Sequence, residues 1–240
     1  MIVNKKEKII GVVGGMGPEA TLDFFKKIIK NTEAKRDQDH LRVIIYNNPK
    51  IPDRTPAVLG TGKNIIPDIV KTAKSLEKAG ASFIVIPCVT AHYFIDDFRK
   101  QVNIPIVSLI EELGREIVDN YSYIKKVALL ATSGTIKGGH VQNRLEKLGI
   151  QILIPSENLQ EKLVMEAIYG TKGIKAGYVN YENKEKFIKI TELLINKGAE
   201  GIIAGCTEIP LVLKQNDIPV PLFDTILILA KAAIREATQN

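Results

Sequence analysis

The 240-residue chain holds two cysteines, three histidines and no tryptophan. Two cysteines cannot make a disulfide framework, and they are too few for a structural zinc site of three or four thiolates. His40, His92 and His140 are scattered and form no HExxH pattern, which argues against a histidine metal site. No apolar run approaches the roughly 20 residues of a membrane span. The opening MIVNKKEK lacks the apolar core of a secretory signal. The expectation is a cytoplasmic protein with reduced thiols and no membrane partner. Aromatic residues are only 6%, and the net charge of +6 is spread out, with no Lys/Arg run of five. A nucleic-acid binder would want a basic stripe and stacking platforms, so nucleic acid is not expected as a partner.

What is present is ordinary for a globular core: 45% apolar and 25% charged residues. Short β-branched runs recur at 8–13, 41–46, 82–86, 104–107, 127–131, 150–154, 201–204 and 219–222. They are nearly continuous in Ile, Val and Leu, as strands covered on both faces tend to be. Helical patterns fall between them, at 18–31, 63–78, 92–101, 111–120, 138–148, 156–169 and 182–197, with a last one at 225–237. Pro18 suits a first helical position, and Gly80 and Gly198 suit the residue just past a helix end. Alternating strands and helices predict a parallel α/β architecture.

The two halves repeat. Lys78–Cys88 parallels Asn196–Cys206 at an offset of 118 residues, with Gly80 on Gly198, Ala81 on Ala199 and Cys88 on Cys206. An Ile-Pro strand follows each cysteine, at Ile104-Pro105 and Ile218-Pro219. The pattern predicts two pseudo-symmetric, Rossmann-like domains, 1–110 and 111–224, with the segment 225–240 crossing back to the first.

Each cysteine ends a buried strand, and ligands of open α/β sheets bind outside the carboxyl ends of strands. Pseudo-twofold halves would set Cys88 and Cys206 on opposite sides of one cleft. A lone buried cysteine is more often an inert hydrophobe; the shared repeat position and the nearby Thr90 and Thr207 favour chemistry. Two facing thiols suit inversion at carbon, one removing a proton while the other delivers one. Such chemistry needs no cofactor and no metal.

The Gly14-Gly15-Met16-Gly17-Pro18 turn is neither GxGxxG nor GxxxxGK[ST], and Pro18 lacks an N–H; it fits a carboxylate better than a dinucleotide. Arg54, in a proline-rich loop, could fork a carboxylate or pair with Asp53 on the surface. Lys175 lies between glycines, where lysines are often solvated. Glu208 could orient a thiol or merely charge the next helix. His92 begins the helix after Cys88 and reads equally as a site residue or as a capping or packing histidine.

Five motifs, Gly14-Gly15-Met16-Gly17-Pro18, Ile51-Pro52-Asp53-Arg54-Thr55, Pro87-Cys88-x-Thr90-Ala91-His92, Ala131-Thr132-x-Gly134-Thr135 and Gly205-Cys206-Thr207-Glu208, occur in an order that resembles the aspartate/glutamate racemase family. The resemblance runs from about Ile9 to the C-terminus. It implies two similar α/β domains with the site between them, a homodimer, and cofactor-independent racemisation of an acidic amino acid. It implies Cys88 and Cys206 as the catalytic pair. Met16, Arg54, Thr90, Thr132, Lys175 and Thr207 would bind substrate, with Arg54 and Lys175 at the distal carboxylate and Glu208 supporting Cys206. Val89 departs from the pattern, since the family usually has Asn there; Val offers no side-chain donor. The alternatives are a relative acting on a hydantoin, a maleate-type compound or a less polar amino acid, a decarboxylase, and a non-catalytic binder of acidic metabolites.

Overall fold

A computed structural model describes residues 7–239; the first six residues, with Lys5, Lys6 and most of the segment read above for a signal, and Asn240 lie outside the described residues. Two four-stranded parallel sheets dominate. The first takes β1 (Ile10–Gly14), β2 (Val43–Asn47), β3 (Phe83–Val85) and β4 (Ile106–Val107) in the order β2-β1-β3-β4. The second takes β5 (Lys126–Leu130), β6 (Gln151–Leu153), β7 (Gly201–Ala204) and β8 (Leu222–Asp224) in the order β6-β5-β7-β8. The topologies are the same, and so are the pairings: Ile10 lies between Val43 and Phe83 as Val127 lies between Ile152 and Gly201. β1 is buried along its whole length, which explains its unbroken apolar reading.

Several boundaries differ from the expectations, and the causes are local. β8 begins at Leu222 rather than 219, because Pro219 and Pro221 have no N–H for the ladder. The Pro221 carbonyl still accepts from Ile202, as the Pro105 carbonyl accepts from Ile84 ahead of the shortened β4. The helix expected at 138–148 is two helices, Ser133–Gly138 and His140–Glu146, parted by Gly139 at φ 68°. Thr132 caps the first by accepting from the Thr135 N–H. The helix expected at 92–101 opens as a 3-10 turn, Thr90–Phe94, before Ile95–Arg99. The one expected at 156–169 carries a π-helical stretch at Gln160–Met165. Gly80 and Gly198 do sit just past helix ends, at φ 98° and 92°.

Each half has an apolar cluster of its own, around Ile84 and Phe98 in the first and Phe187 and Ile202 in the second. A third cluster joins the halves, from Phe24 and Leu109 through Leu129 to Phe223 and Leu229. The last helix, Thr225–Thr238, packs on Pro18–Asn31 of the first half and on Leu109–Asn120, which begins at the boundary between the halves. Lys27 clamps its start by bridging Asp23 at 2.5 Å and Asp224 at 2.7 Å. The halves are therefore fastened along one side, leaving the carboxyl ends of β1, β3, β5 and β7 to frame a cleft. Among the described residues, no helix is long and apolar enough to cross a membrane.

Candidate active site

The turn after β1 is built by one threonine. Thr21 accepts the Gly15 N–H at 2.9 Å and donates to the Gly17 carbonyl at 2.9 Å, so the chain folds back before Pro18 opens its helix. Gly15, at φ 95°, presses against the backbone of Asn48, and a Cβ there would come within 2.3 Å of it. Met16 is thereby buried at the cleft floor.

Arg54 is not in an irregular loop. It opens a short helix, Arg54–Val58, whose cap is Asp53, accepting from Thr55 at 3.0 Å. Asp53 is thus engaged by the helix and by the Tyr169 hydroxyl, which donates to it at 3.1 Å, rather than paired with Arg54 on the surface. The guanidinium turns inward and donates to the carbonyls of Pro52 (3.1 Å), Ile51 (3.4 Å) and Met16 (3.4 Å), while its buried Nε has no partner. Burial works against its charge, but Cys88, Tyr169 and Asp53 more than offset this and raise its pKa. The helix can sit so close because Gly134 faces it; a Cβ on Gly134 would lie 2.7 Å from Thr55 Cα.

Cys88 and Cys206 follow β3 and β7 and are 5% and 6% exposed. Their surroundings differ. The Cys206 thiol donates to Glu208 Oε2 at 3.0 Å, and Thr207 donates to the same oxygen at 3.2 Å. Lys175, on the 3-10 turn Ile174–Ala176, holds the other oxygen of Glu208 at 2.5 Å and lies over the Tyr169 ring. Burial, and next the Glu208 charge, push the Cys206 thiol well above its ordinary range. Burial pulls Lys175 down, yet Glu208 and Cys206 more than offset it and leave its pKa raised. Cys88 faces Arg54 instead, and its carbonyl accepts from His92 Nδ1 at 2.8 Å. Thr90, from the first half, bonds Thr132 at 3.1 Å and Thr135 at 2.8 Å from the second, closing a triangle of buried hydroxyls.

These groups converge on one nearly closed cavity of about 10 Å³, lined by Met16, Arg54, Cys88, Thr90, Thr132, Lys175, Thr207, Cys206 and Glu208 among others. Every residue singled out in the sequence as catalytic, binding or supporting is in that lining. Tyr169 and Gly205, also in the lining, were not singled out. Gly205 sits inside a quoted motif, but Tyr169 reaches the cavity from the end of the π-bulged helix, and no spacing rule marks it. The cavity has room for about one water molecule, so this closed arrangement admits no amino acid without opening. A wider pocket outside shares Arg54, Lys175 and Glu208 with it. No cluster of three or more His, Cys, Asp or Glu that could hold a metal occurs among the described residues.

Comparison with known proteins places this arrangement. The family model for the Asp/Glu/hydantoin racemases matches residues 13–233. The chain belongs to that family. It is a racemase, an enzyme of the isomerase class. It is 28% identical over 232 residues to the broad specificity amino-acid racemase RacX of Bacillus subtilis, covering 94% of this chain and 96% of that one. A solved aspartate racemase from Picrophilus torridus matches with a TM-score of 0.82 at 28% identity, over 97% of this chain and 95% of that one. An aspartate racemase homologue from Pyrococcus horikoshii OT3 matches with a TM-score of 0.78 at 30% identity, over 97% and 100% of the two chains.

Proposed function

We propose that the racemase inverts the α-carbon of an amino acid bearing a second carboxylate, aspartate or glutamate, with Cys88 and Cys206 as the two acid–base groups. The observation that carries this is the chemical inequality of the two thiols across one small cavity. Cys206 is held as a thiol against Glu208. Cys88 lies beside the Arg54 guanidinium instead, and this reading gives it the base role. In one direction the Cys88 thiolate takes the α-proton, and the electron pair left on carbon is delocalised into the α-carboxylate. The Cys206 S–H then delivers its proton to the opposite face. Cys88 ends as thiol and Cys206 as thiolate, and the reverse reaction restores them. The unpartnered Nε of Arg54 is a free donor for a carboxylate, and the Thr90, Thr132 and Thr207 hydroxyls, which bond one another or Glu208 in the closed cavity, would turn to substrate on binding, with Met16 supplying backbone contacts; donors around a developing carbanion lower its energy most where water is excluded. Halves 1–110 and 111–224 act as two jaws of a cytoplasmic, homodimeric enzyme that uses no cofactor.

A second reading is favoured by two particulars. Lys175 is already neutralised by Glu208, and Val89 brings no amide to the cavity. Both relax the demand for a distal carboxylate and support a wider range of amino acids. Proton NMR in deuterated water separates the readings. Both enantiomers of Asp, Glu and a panel of neutral amino acids are incubated with enzyme, and loss of the α-proton signal is followed. Loss confined to Asp and Glu supports the first reading, and loss across the panel the second. Net inversion should fall about 10²–10⁴-fold in Cys88→Ala and in Cys206→Ala; full activity in either rejects the two-thiol mechanism.

A further inference from the structure

We propose that His140 is a positioning residue, a latch by which the second half grips the segment carrying Cys88 and holds the cleft shut. The inference stands on a set of contacts outside the cavity. His140 Nε2 lies 3.1 Å from the carbonyl oxygen of Val89, the residue after Cys88 and a member of the cavity lining. Donor and acceptor belong to opposite halves. One residue back along the same segment, the Cys88 carbonyl is held by His92, which belongs to the first half and accepts the Leu109 N–H at 3.1 Å through its other nitrogen. Two imidazoles thus grip consecutive carbonyls, one fixing the segment to its own half and the other reaching across.

The imidazole of His140 is aimed for this contact. Gly139, at φ 68°, breaks the helix and turns His140 toward the first half. Gly138 lets the ring in, since a Cβ there would meet His140 Nδ1 and Tyr93 Cδ2 at 3.1 Å. The ring packs edge-on to Tyr93 at 5.7 Å between centroids. Its Nδ1 is buried without a partner among the described residues, so the bond to Val89 is the polar contact this side chain makes. Burial holds the group below the ordinary imidazole range, so near neutrality it has one N–H, and facing a carbonyl puts that hydrogen on Nε2. A residue serving only as packing would leave no reason for a buried, half-unsatisfied imidazole at this place.

Away from Cys88, the last helix and Leu109–Asn120 share an apolar core with both halves. Near Cys88 the halves also meet through the Arg54–Val58 helix against Ser133–Gly138 and through Tyr93 on His140, with Val89 itself at the margin of the shared core. The polar contacts there are the hydroxyl triangle of Thr90, Thr132 and Thr135, the Tyr169 hydroxyl on Asp53, and His140 on the Val89 carbonyl, the one that grips the backbone beside Cys88. A cavity this small must open to admit substrate and close again. A single neutral hydrogen bond suits that cycle, being strong enough to bias closure and weak enough to release.

The kinetic arm of the test rests on the racemase reading above, whereas the thiol-accessibility arm does not. The variants are His140→Leu and His140→Asn, which remove the reach to Val89, and His140→Gln, whose amide N–H extends about as far as Nε2. The readout is the iodoacetamide alkylation rate of Cys88 and Cys206, followed by peptide mass spectrometry, alongside kcat, KM and thermal unfolding. Folded Leu or Asn variants should alkylate both thiols about tenfold faster, the equivalent of one hydrogen bond. Their kcat should fall more than KM changes, and Gln should restore both measures. Alkylation at the wild-type rate in the folded Leu or Asn variant, or a Gln variant as impaired as Leu, overturns the latch. So does failure of both Leu and Asn variants to fold, which makes His140 a packing residue. Altered alkylation with no racemisation of any tested amino acid by the wild type would keep the latch and reject the acidic-substrate reading instead.

Discussion

Glu208 serves two masters: one carboxylate oxygen takes the Cys206 thiol hydrogen at 3.0 Å and the other the Lys175 ammonium at 2.5 Å. Proton affinity at the thiol and charge balance at the mouth of the cavity therefore meet in one side chain, which is 3% exposed.

Replacing that side chain should move the thiol in a known direction. Glu208 is the second cause, after burial, of the raised Cys206 pKa. Glu208→Gln removes the anion, so Cys206 should ionise at lower pH. The pH profile of its alkylation should shift to the acid side, and an unmoved profile would detach Glu208 from the thiol. Lys175→Met leaves Glu208 buried without its cation and should cost about 1–3 kcal/mol in urea unfolding, below the fully buried figure because Lys175 keeps partial exposure. The double variant should recover part of that loss.

His92 carries a pH dependence of its own. Burial lowers its pKa from 6.5 to about 4, and its two nitrogens are committed to Cys88 and Leu109. The unfolded chain binds the proton first as pH falls, so His92 leaves stability intact above the unfolded value and erodes it between 6.5 and about 4. The full loss is about 3 kcal/mol. Denaturant midpoints from pH 7.5 to 4 should decline across that window, and His92→Gln should flatten the decline.

Gly134→Ala should act on Arg54 without touching it. The added methyl would lie 2.7 Å from backbone of the helix that Arg54 opens. The helix must shift, at about 1–3 kcal/mol. KM for the best acidic substrate should rise more than for any neutral one accepted, and equal rises would show that Arg54 does not read the distal carboxylate.

Val89→Asn distinguishes the two substrate readings. A new donor to a charged carboxylate is worth roughly 1.5–3 kcal/mol, which is about ten- to a hundredfold in kcat/KM at best. A gain on Asp or Glu supports the acidic reading. Val89 is also 2% exposed and packed with the shared core, so an amide finding no partner there should instead lower stability and impair turnover of an apolar amino acid.

What the sequence made legible was what repetition and strand ends control. The offset of 118 residues put Cys88 and Cys206 at matching strand ends, and the two sheets have the same order. Arg54 was legible by type and not by conformation, because Pro52 and Pro56 read as loop while Asp53 caps a helix. Tyr169 was invisible, since its approach depends on the π-helical stretch at Gln160–Met165, which shifts the face of a helix without leaving a mark in residue spacing. The His140 contact was hidden for a related reason. It depends on two halves meeting, and the only local trace is the pair Gly138-Gly139.

The unequal surroundings of the two thiols carry a consequence for the kinetics of the two hands of the substrate. Mirror-image molecules have the same free energy in water, so thermodynamics forces kcat/KM to be the same for both. A Glu208–Lys175 couple on one face and a guanidinium on the other need not bind the two hands alike. The asymmetry can then surface only as paired differences, with the hand that binds more tightly turning over more slowly by the same factor. At saturating concentrations the enzyme would run faster in one direction, while at trace concentrations it would treat the two hands as one.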